Sequence, residues 1–429
     1  MKKITDLQKE NGTSCMTPNP VTVIPEEDVK ATLHTSWLEK IRGNIKSLRF
    51  NRNEISGSLG DMGTFIPLLV GMVSINGLNI ASALFFSGLF NTITGIFFGI
   101  PMAVQPMKAI ATVAISEGLT KNEILSAGII TGLVIFLFGI TKVIEFFNRI
   151  IPLSVVRGLQ LGLGLQLIMK GFSMVLSTER FFGYDSIFVG ILTGVFVLIL
   201  FFSRKIPGAL VIFLFGLIML FLESPEFISG LKPGFYIPSF VNLSRDDFVI
   251  GTLKGAIPQV PLTTLNSVIA VCALSRDLFP KKGAGTREVS ISVGLMNLIG
   301  CWFGAMPMCH GAGGLAGQYR FGARTGGSVV FLGLVKILLG VFLGGAAFTI
   351  LASYPVSILG VLLLFSGIEL SLVARDVRTR TDYFIMIITT AAIISLSTAI
   401  GFIIGFIVSY LLHSGIFSIE KFGRFFDGK

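Results

Sequence analysis

The sequence predicts an all-α polytopic membrane protein of fourteen transmembrane segments, arranged as two inverted repeats of seven with half-helices at spans 3 and 10. Three observations predict it. The composition is too apolar for a water-exposed surface, apolar runs of near-bilayer length recur along the chain, and one stretch is duplicated around Pro101 and Pro307.

Of 429 residues, 52% are hydrophobic and 14% charged, whereas a soluble domain carries about 25% charged residues. Apolar runs at 124–140, 187–202, 206–222, 329–350 and 384–412 approach or exceed the roughly 20 residues that cross a bilayer. The net charge of +10 comes from short basic connections and not from one stripe, which argues against nucleic acid as a partner. Cys15, Cys272, Cys301 and Cys309 have no metal-ligand spacing and read as free thiols. Residues 1–54 contain no apolar signal core and read as a cytoplasmic N-terminal segment. Within it, residues 37–50 suit an amphipathic helix on the membrane surface.

The segments fall at about 56–75, 79–99, 103–117, 122–141, 151–170, 185–202, 205–222, 249–273, 287–305, 309–322, 326–349, 355–373, 383–397 and 399–417. The third, tenth and thirteenth are short for an ordinary crossing. With the N-terminus in the cytoplasm, cytoplasmic connections hold thirteen Lys and Arg, from Lys142 to Arg380, against six outside, from Lys121 to Lys254. The longest connection, 224–248, falls outside and separates a first repeat (55–223) from a second (249–417), followed by a cytoplasmic tail at 418–429.

Residues 88–102 align without a gap over 294–308. Gly88/Gly294, Leu89/Leu295, Asn91/Asn297, Ile93/Ile299, Phe97/Phe303, Pro101/Pro307 and Met102/Met308 are identical. A weaker echo sets Gly57, Leu59, Pro67 and Leu68 over Gly251, Leu253, Pro261 and Leu262. Seven spans is an odd number, so the second copy enters from the opposite side. Inverted repeats of this kind are typical of secondary transporters, with the substrate near the midplane.

After each repeated proline comes a break and then a new helical run. Proline favours extended conformations before it and the first turn of a helix after it, so each segment reads as an extended stretch leading into a half-helix that starts inside the membrane. The N–H groups and dipole at such a start suit an anion. Gln105, Pro106, Met107 and Lys108 lie at the first start; His310, Gly311, Ala312 and Gly313 lie at the second. Lys108 either offsets a dianion or pairs with a carboxylate such as Asp61. Gln105 either donates to an oxyanion or caps its half-helix. Asp61 is a candidate proton-coupling carboxylate or an interfacial cap, and Thr64 lies a turn further in. Thr263, Thr264, Asn266 and Ser267 form a polar cluster in an otherwise apolar span, where some hydroxyls only bond the preceding turn. His310 either contacts the anion or is structural. No Walker motif, metal-ligand cluster or nucleophile–base pair appears, and the glycines at 311–317 lack a surrounding βαβ unit. An enzyme, an ATP-driven pump and a bound cofactor or metal are therefore not expected.

These motifs resemble the molybdate transporter family, a branch of the sulfate permease superfamily. The resemblance is carried by Gly60-Asp-Met-Gly-Thr-Phe-Ile-Pro67, Val104-Gln-Pro-Met-Lys-Ala109, the polar glycine-rich stretch at 311–327 and the run at 297–307, and it covers roughly residues 48–417. It implies the uracil-permease fold, with a core domain of spans 1–4 and 8–11 and a gate domain of spans 5–7 and 12–14, moving as an elevator. It implies an anion held between spans 3 and 10, at residues 105–108 and 310–313, with Thr263 and Ser267 alongside. Molybdate is the expected substrate, with tungstate and sulfate as lesser ones and protons as the coupling ion. The rivals on the same fold are a sulfate transporter and an anion channel. Only 418–429 follow the last span, so the soluble regulatory domain of most sulfate permeases is not expected. The resemblance is compatible with a homodimer in the plasma or inner membrane, with both termini cytoplasmic.

Overall fold

A computed structural model of the protein describes residues 37–201, 208–223 and 235–413. The N-terminal segment before residue 37 with Cys15, part of the long connection at 224–248, and the tail lie outside the described residues. The helices in chain order are α1 (Trp37–Ser47), α2 (Arg52–Ser58), α3 (Met62–Asn76), α4 (Ile80–Phe98), α5 (Lys108–Glu117), α6 (Lys121–Ile140), α7 (Val143–Ile150), α8 (Leu153–Leu176), α9 (Ile187–Phe201) and α10 (Gly208–Glu223). They continue with α11 (Arg245–Leu278), α12 (Thr286–Gly300), α13 (Ala312–Arg320), α14 (Gly327–Ala352), α15 (Val356–Leu372), α16 (Arg380–Ser395) and α17 (Thr398–His413).

A helix lies at each of the expected segments. Among the described residues six helices are long and apolar enough to cross a membrane, or seven when the bent pair α2–α3 is taken as one span. Helix α1 occupies the stretch expected to lie on the surface. It is anchored by Asn44 Nδ2 donating to the Phe97 carbonyl (2.7 Å) and by the exposed Lys40–Glu288 ion pair (3.0 Å).

The expected all-α class needs one correction. Two three-residue strands, β1 (Val104–Pro106) and β2 (Met308–His310), pair antiparallel in the interior. The physical reason is that an extended backbone in a dry interior must find partners for its N–H and C=O groups. Each broken segment finds them in the other. In register, Val104 faces His310, and these two residues stand at the same offset that aligns Asn91 with Asn297. A two-fold axis through the strand pair demands that match.

The duplicated asparagines tie the strands to the helices before them. Asn91 Oδ1 accepts from the Val104 N–H (2.8 Å). Asn297 Oδ1 accepts from the Met308 N–H (2.8 Å), and its Nδ2 donates to the Met308 and Val293 carbonyls (2.6 and 2.7 Å).

Helix packing repeats the same symmetry, since α4 packs on α14 and α6 packs on α12. These faces are built on glycine: a Cβ on Gly88 or Gly95 would meet the carbonyl of Gly333 or Gly326 at 2.5 Å. Backbones without side chains between them approach closely, the usual basis of helix association in membranes. A second group joins α8, α15 and α16. Three ion pairs cluster at one end, two of them between the groups. Arg157 of α8 bonds Asp277 of α11 and Asp376 beyond α15 (both 2.5 Å), and Arg320 of α13 lies 4.0 Å from Glu369 of α15.

Asn297→Ala removes four buried hydrogen bonds, one of them the weak contact from Cys301 Sγ (3.8 Å), and orphans both backbone groups of Met308. It is expected to cost about 1–3 kcal/mol, read as a lower unfolding midpoint in detergent. The loss is expected to exceed that of Asn91→Ala, which removes a single bond.

Candidate functional site

The two half-helices start from the ends of the paired strands. Met107 precedes α5, and its N–H donates to the Pro307 carbonyl (2.9 Å). Gly311 precedes α13. Each start therefore sits beside the other repeat's strand, deep among buried residues.

The starts differ in how their N–H groups are used. At α5, Gln259 Oε1 accepts from the N–H groups of Ala109 (2.8 Å) and Ile110 (3.1 Å), while its Nε2 donates to Thr263 Oγ1 (2.8 Å). A neutral side-chain oxygen thus fills part of the anion position expected there. At α13, the N–H groups of Ala312, Gly313 and Gly314 meet no acceptor among the described residues. The Gln105 side chain crosses this second start. A Cβ on Gly311 would come within 2.1 Å of Gln105 Oε1, and one on Gly314 within 2.6 Å of its Nε2. Gln105 Nε2 donates to Asp61 Oδ2 (3.5 Å), and Oε1 is buried without a partner.

Asp61 stands just before α3 and is 2% exposed, with no capping bond from its side chain. Its second oxygen accepts from Gln318 Nε2 (3.4 Å), whose Oε1 accepts from Ser328 Oγ (2.9 Å). The close approach is possible because a Cβ on Gly60 or Gly317 would meet the other's backbone at 2.4 or 2.6 Å. Thr64 lies in the next turn, its N–H bonded to the Asp61 carbonyl (3.0 Å). The cation acting on Asp61 is Lys336 of α14. Its Nζ is 3.4 Å from the centroid of the Phe65 ring and has no hydrogen-bond partner.

Lys108 opens α5, partly exposed, beside Cys309. No described carboxylate lies within 4 Å of it, so the anticipated pairing with Asp61 is not formed.

The polar cluster of span 8 is split by its surroundings. Pro261 lies inside α11, and the helix widens to π geometry over Thr263–Ala270. Proline removes a helix N–H donor, and π segments inside α-helices are frequent at functional sites. Thr264 Oγ1 only bonds the Val260 carbonyl (2.8 Å). Thr263 is held by Gln259, and the Asn266 side chain is buried with no side-chain hydrogen bond of its own. Ser267 Oγ is buried near the Cys309 thiol, outside hydrogen-bonding geometry.

His310 is fully engaged. Nδ1 lies 3.3 Å from the Ala103 carbonyl, so it carries the proton there, and Nε2 then accepts from Ser292 Oγ (3.0 Å). Its ring also meets Phe98 edge-on. The strand pairing sets Gln105 opposite Cys309 and Pro106 opposite Met308 and lays the Gln105 side chain against Gly311, while the His310 imidazole turns toward packing partners. Gly313 approaches the other helix group, where a Cβ would lie 2.6 Å from Leu167 Cδ1.

Gln259, Gln318 and Lys336 escaped the sequence reading. Gln259 carries the signal of helical spacing, four residues before Thr263. Lys336 carries a stronger one, an ionisable residue half-way along the apolar stretch Gly327–Gly344. Among the described residues no group of His, Cys, Asp or Glu side chains could hold a metal ion, and Cys272, Cys301 and Cys309 are buried free thiols.

Apolar helices and two broken segments meeting in the interior define a multi-pass integral membrane protein. The same fold is seen in the transmembrane domain of the cyanobacterial bicarbonate transporter BicA (TM-score 0.53, 15% identity, 83% of this chain and 96% of that one). It is seen again in murine Slc26a9, an anion transporter solved in the inward-facing state (TM-score 0.57, 16% identity, 85% and 68%).

The chain belongs to the molybdate transporter family. The family model described as "Molybdate transporter of MFS superfamily" matches residues 53–167 and 251–370. The chain is 41% identical over 419 residues to Molybdate transporter 1 of Arabidopsis thaliana (88% of this chain, 92% of the relative) and 43% identical over 404 residues to Molybdate transporter 2 (84% and 87%). It is 33% identical to Molybdate transporter 1 of Chlamydomonas reinhardtii (87% and 94%). These relatives are transporters by name, a non-enzyme class.

Gln259→Leu leaves the Ala109 and Ile110 N–H groups without an acceptor. Faster amide exchange over the first turn of α5, read by mass spectrometry, is the expected result, with α13 unchanged.

Proposed function

We propose that the protein is a secondary active carrier of molybdate, driven by protons, in which the anion binds between the starts of α5 and α13. The observation that carries this reading is the opposed pair of half-helix starts. One retains N–H groups with no acceptor among the described residues, the other begins with Lys108, and the strand pairing holds the two together. A tetrahedral oxyanion needs several donors and a counter-charge, and helix N-termini supply donors without conformational search. The molybdate named for the relatives supplies the identity of the anion.

In this reading Gln105 swings its amide between Asp61 and the anion. Residues Pro106 and Met107 hold the backbone that delivers Lys108. Thr64, Thr263, Asn266 and Ser267 provide hydroxyl and amide contacts around the oxyanion. Gly311, Ala312 and Gly313 present backbone N–H groups, and His310 contributes by fixing β2. Asp61 takes up the coupled proton. Fourteen spans in two inverted sevens divide into a core carrying the site and a gate of α8–α10 and α15–α17. Transport moves the core against the gate. The Arg157–Asp277 and Arg320–Glu369 contacts would then hold one end shut and break in each cycle.

Uptake of molybdate into proteoliposomes under an inward proton gradient tests the reading. Saturable flux that collapses with the gradient is expected. Sulfate carried well with no molybdate flux would replace molybdate by sulfate as substrate, and currents far above a carrier's turnover would indicate a channel. Lys108→Ala is expected to weaken molybdate affinity about tenfold or more with normal protein yield. Asp61→Asn is expected to keep exchange of molybdate across the membrane and to lose accumulation driven by pH.

A further inference from the structure

Lys336 is the one charged residue on α14, and it lies in the interior of the protein. It is 3% exposed and its ammonium makes no hydrogen bond; its contacts are the face of Phe65 and the electrostatic attraction of Asp61. An intramembrane cation is costly unless a partner or a function retains it. The Phe65 ring offers only a cation–π contact. Among the described residues no carboxylate oxygen lies within 4 Å of it, so it forms no direct ion pair with Asp61.

The other charges near Asp61 are accounted for. Of the helices packed on α3, α4 has no titratable group. On α5, Lys108 acts on Cys309 and Glu117 pairs with Lys254 (3.1 Å). On α15, Glu369 faces Arg320. β1 brings only Gln105, and from α13 Gln318 donates to Asp61. Before α3, Glu54 accepts from the backbone N–H groups of Arg324 and Thr325 (3.0 Å each).

We propose that Lys336 is a second counter-cation for the transported dianion, masked by Asp61 when that carboxylate is ionised and unmasked when it takes a proton. This rests on the proposed transport function and supplies its coupling. With Asp61 ionised, the site presents Lys108 as its uncompensated cation. With Asp61 protonated it presents two cations, which match two negative charges. The dianion therefore binds better to the protonated site, and by reciprocity its binding draws a proton onto Asp61. Lys336 acts from behind the Phe65 ring as a positioning charge and touches no part of the anion in this scheme.

Calorimetric titration of the full-length chain in detergent with sodium molybdate, at acidic and neutral pH and in buffers of different ionisation enthalpy, tests the scheme. For wild type, affinity is expected to rise as pH falls, with proton uptake on binding. Asp61→Asn should bind tightly and lose both the pH dependence and the proton. Adding Lys336→Met to Asp61→Asn should weaken binding about tenfold. This double variant leaves neither buried charge uncompensated, and Asp61→Asn/Lys336→Gln serves as its more polar counterpart. Equal affinity in Asp61→Asn and both double variants would overturn the inference, because Lys336 would then serve only to balance Asp61. A wild-type chain that binds no molybdate would sink the transport function itself, a distinct result.

Discussion

Two extended stretches cannot lie inside a membrane protein unless their peptide groups are paired, and here they pair with each other. The β1–β2 ladder is short, yet it brings residues two hundred positions apart into register and fixes where α5 and α13 begin. Asn91 and Asn297 brace it from the preceding helices. Because Val104 and His310 face one another, the axis relating the repeats runs through the ladder itself. Both halves must therefore be present before either helix start has a fixed position.

Around that ladder the two halves are unequal. Gln259 closes much of the first helix start, while the second is left open beneath Gln105. A neutral amide oxygen on one side and open N–H groups on the other make the two helix starts chemically different within a symmetric frame. Asp61 gathers amides from both halves, Gln105 of the first repeat and Gln318 of the second. These contacts are long for hydrogen bonds, at 3.5 and 3.4 Å. The surrounding helices, by contrast, are joined backbone to backbone through glycine and have little freedom to yield.

Local signals explain why the segments were legible in the sequence. A hydrophobic run marks a helix whatever it packs against, so helices α9 and α10, short and plain, lie within the runs read from the sequence. Pro101 and Pro307 announce the breaks because proline acts on its own backbone. The roles of individual side chains were harder to read. His310 sits at a helix start in sequence, but its ring turns to Ser292 and Ala103, a choice made by packing with α12 and the segment before β1. Lys108 and Asp61 are the conspicuous opposite charges of the first repeat, yet Asp61's cation comes from α14 of the second.

By itself the sequence determined that the chain is a multi-pass membrane protein with a duplicated, proline-broken centre, and which family it resembles. Composition, run length and motif spacing are properties of adjacent residues, and adjacency survives without a fold. Only the tertiary structure decided that the broken segments pair as strands, that Gln259 rather than an empty pocket meets the start of α5, and that Lys336 rather than Lys108 faces Asp61. Those are contacts between residues far apart in the chain. Their distances are set by how closely glycine-lined helices approach, which no local pattern encodes.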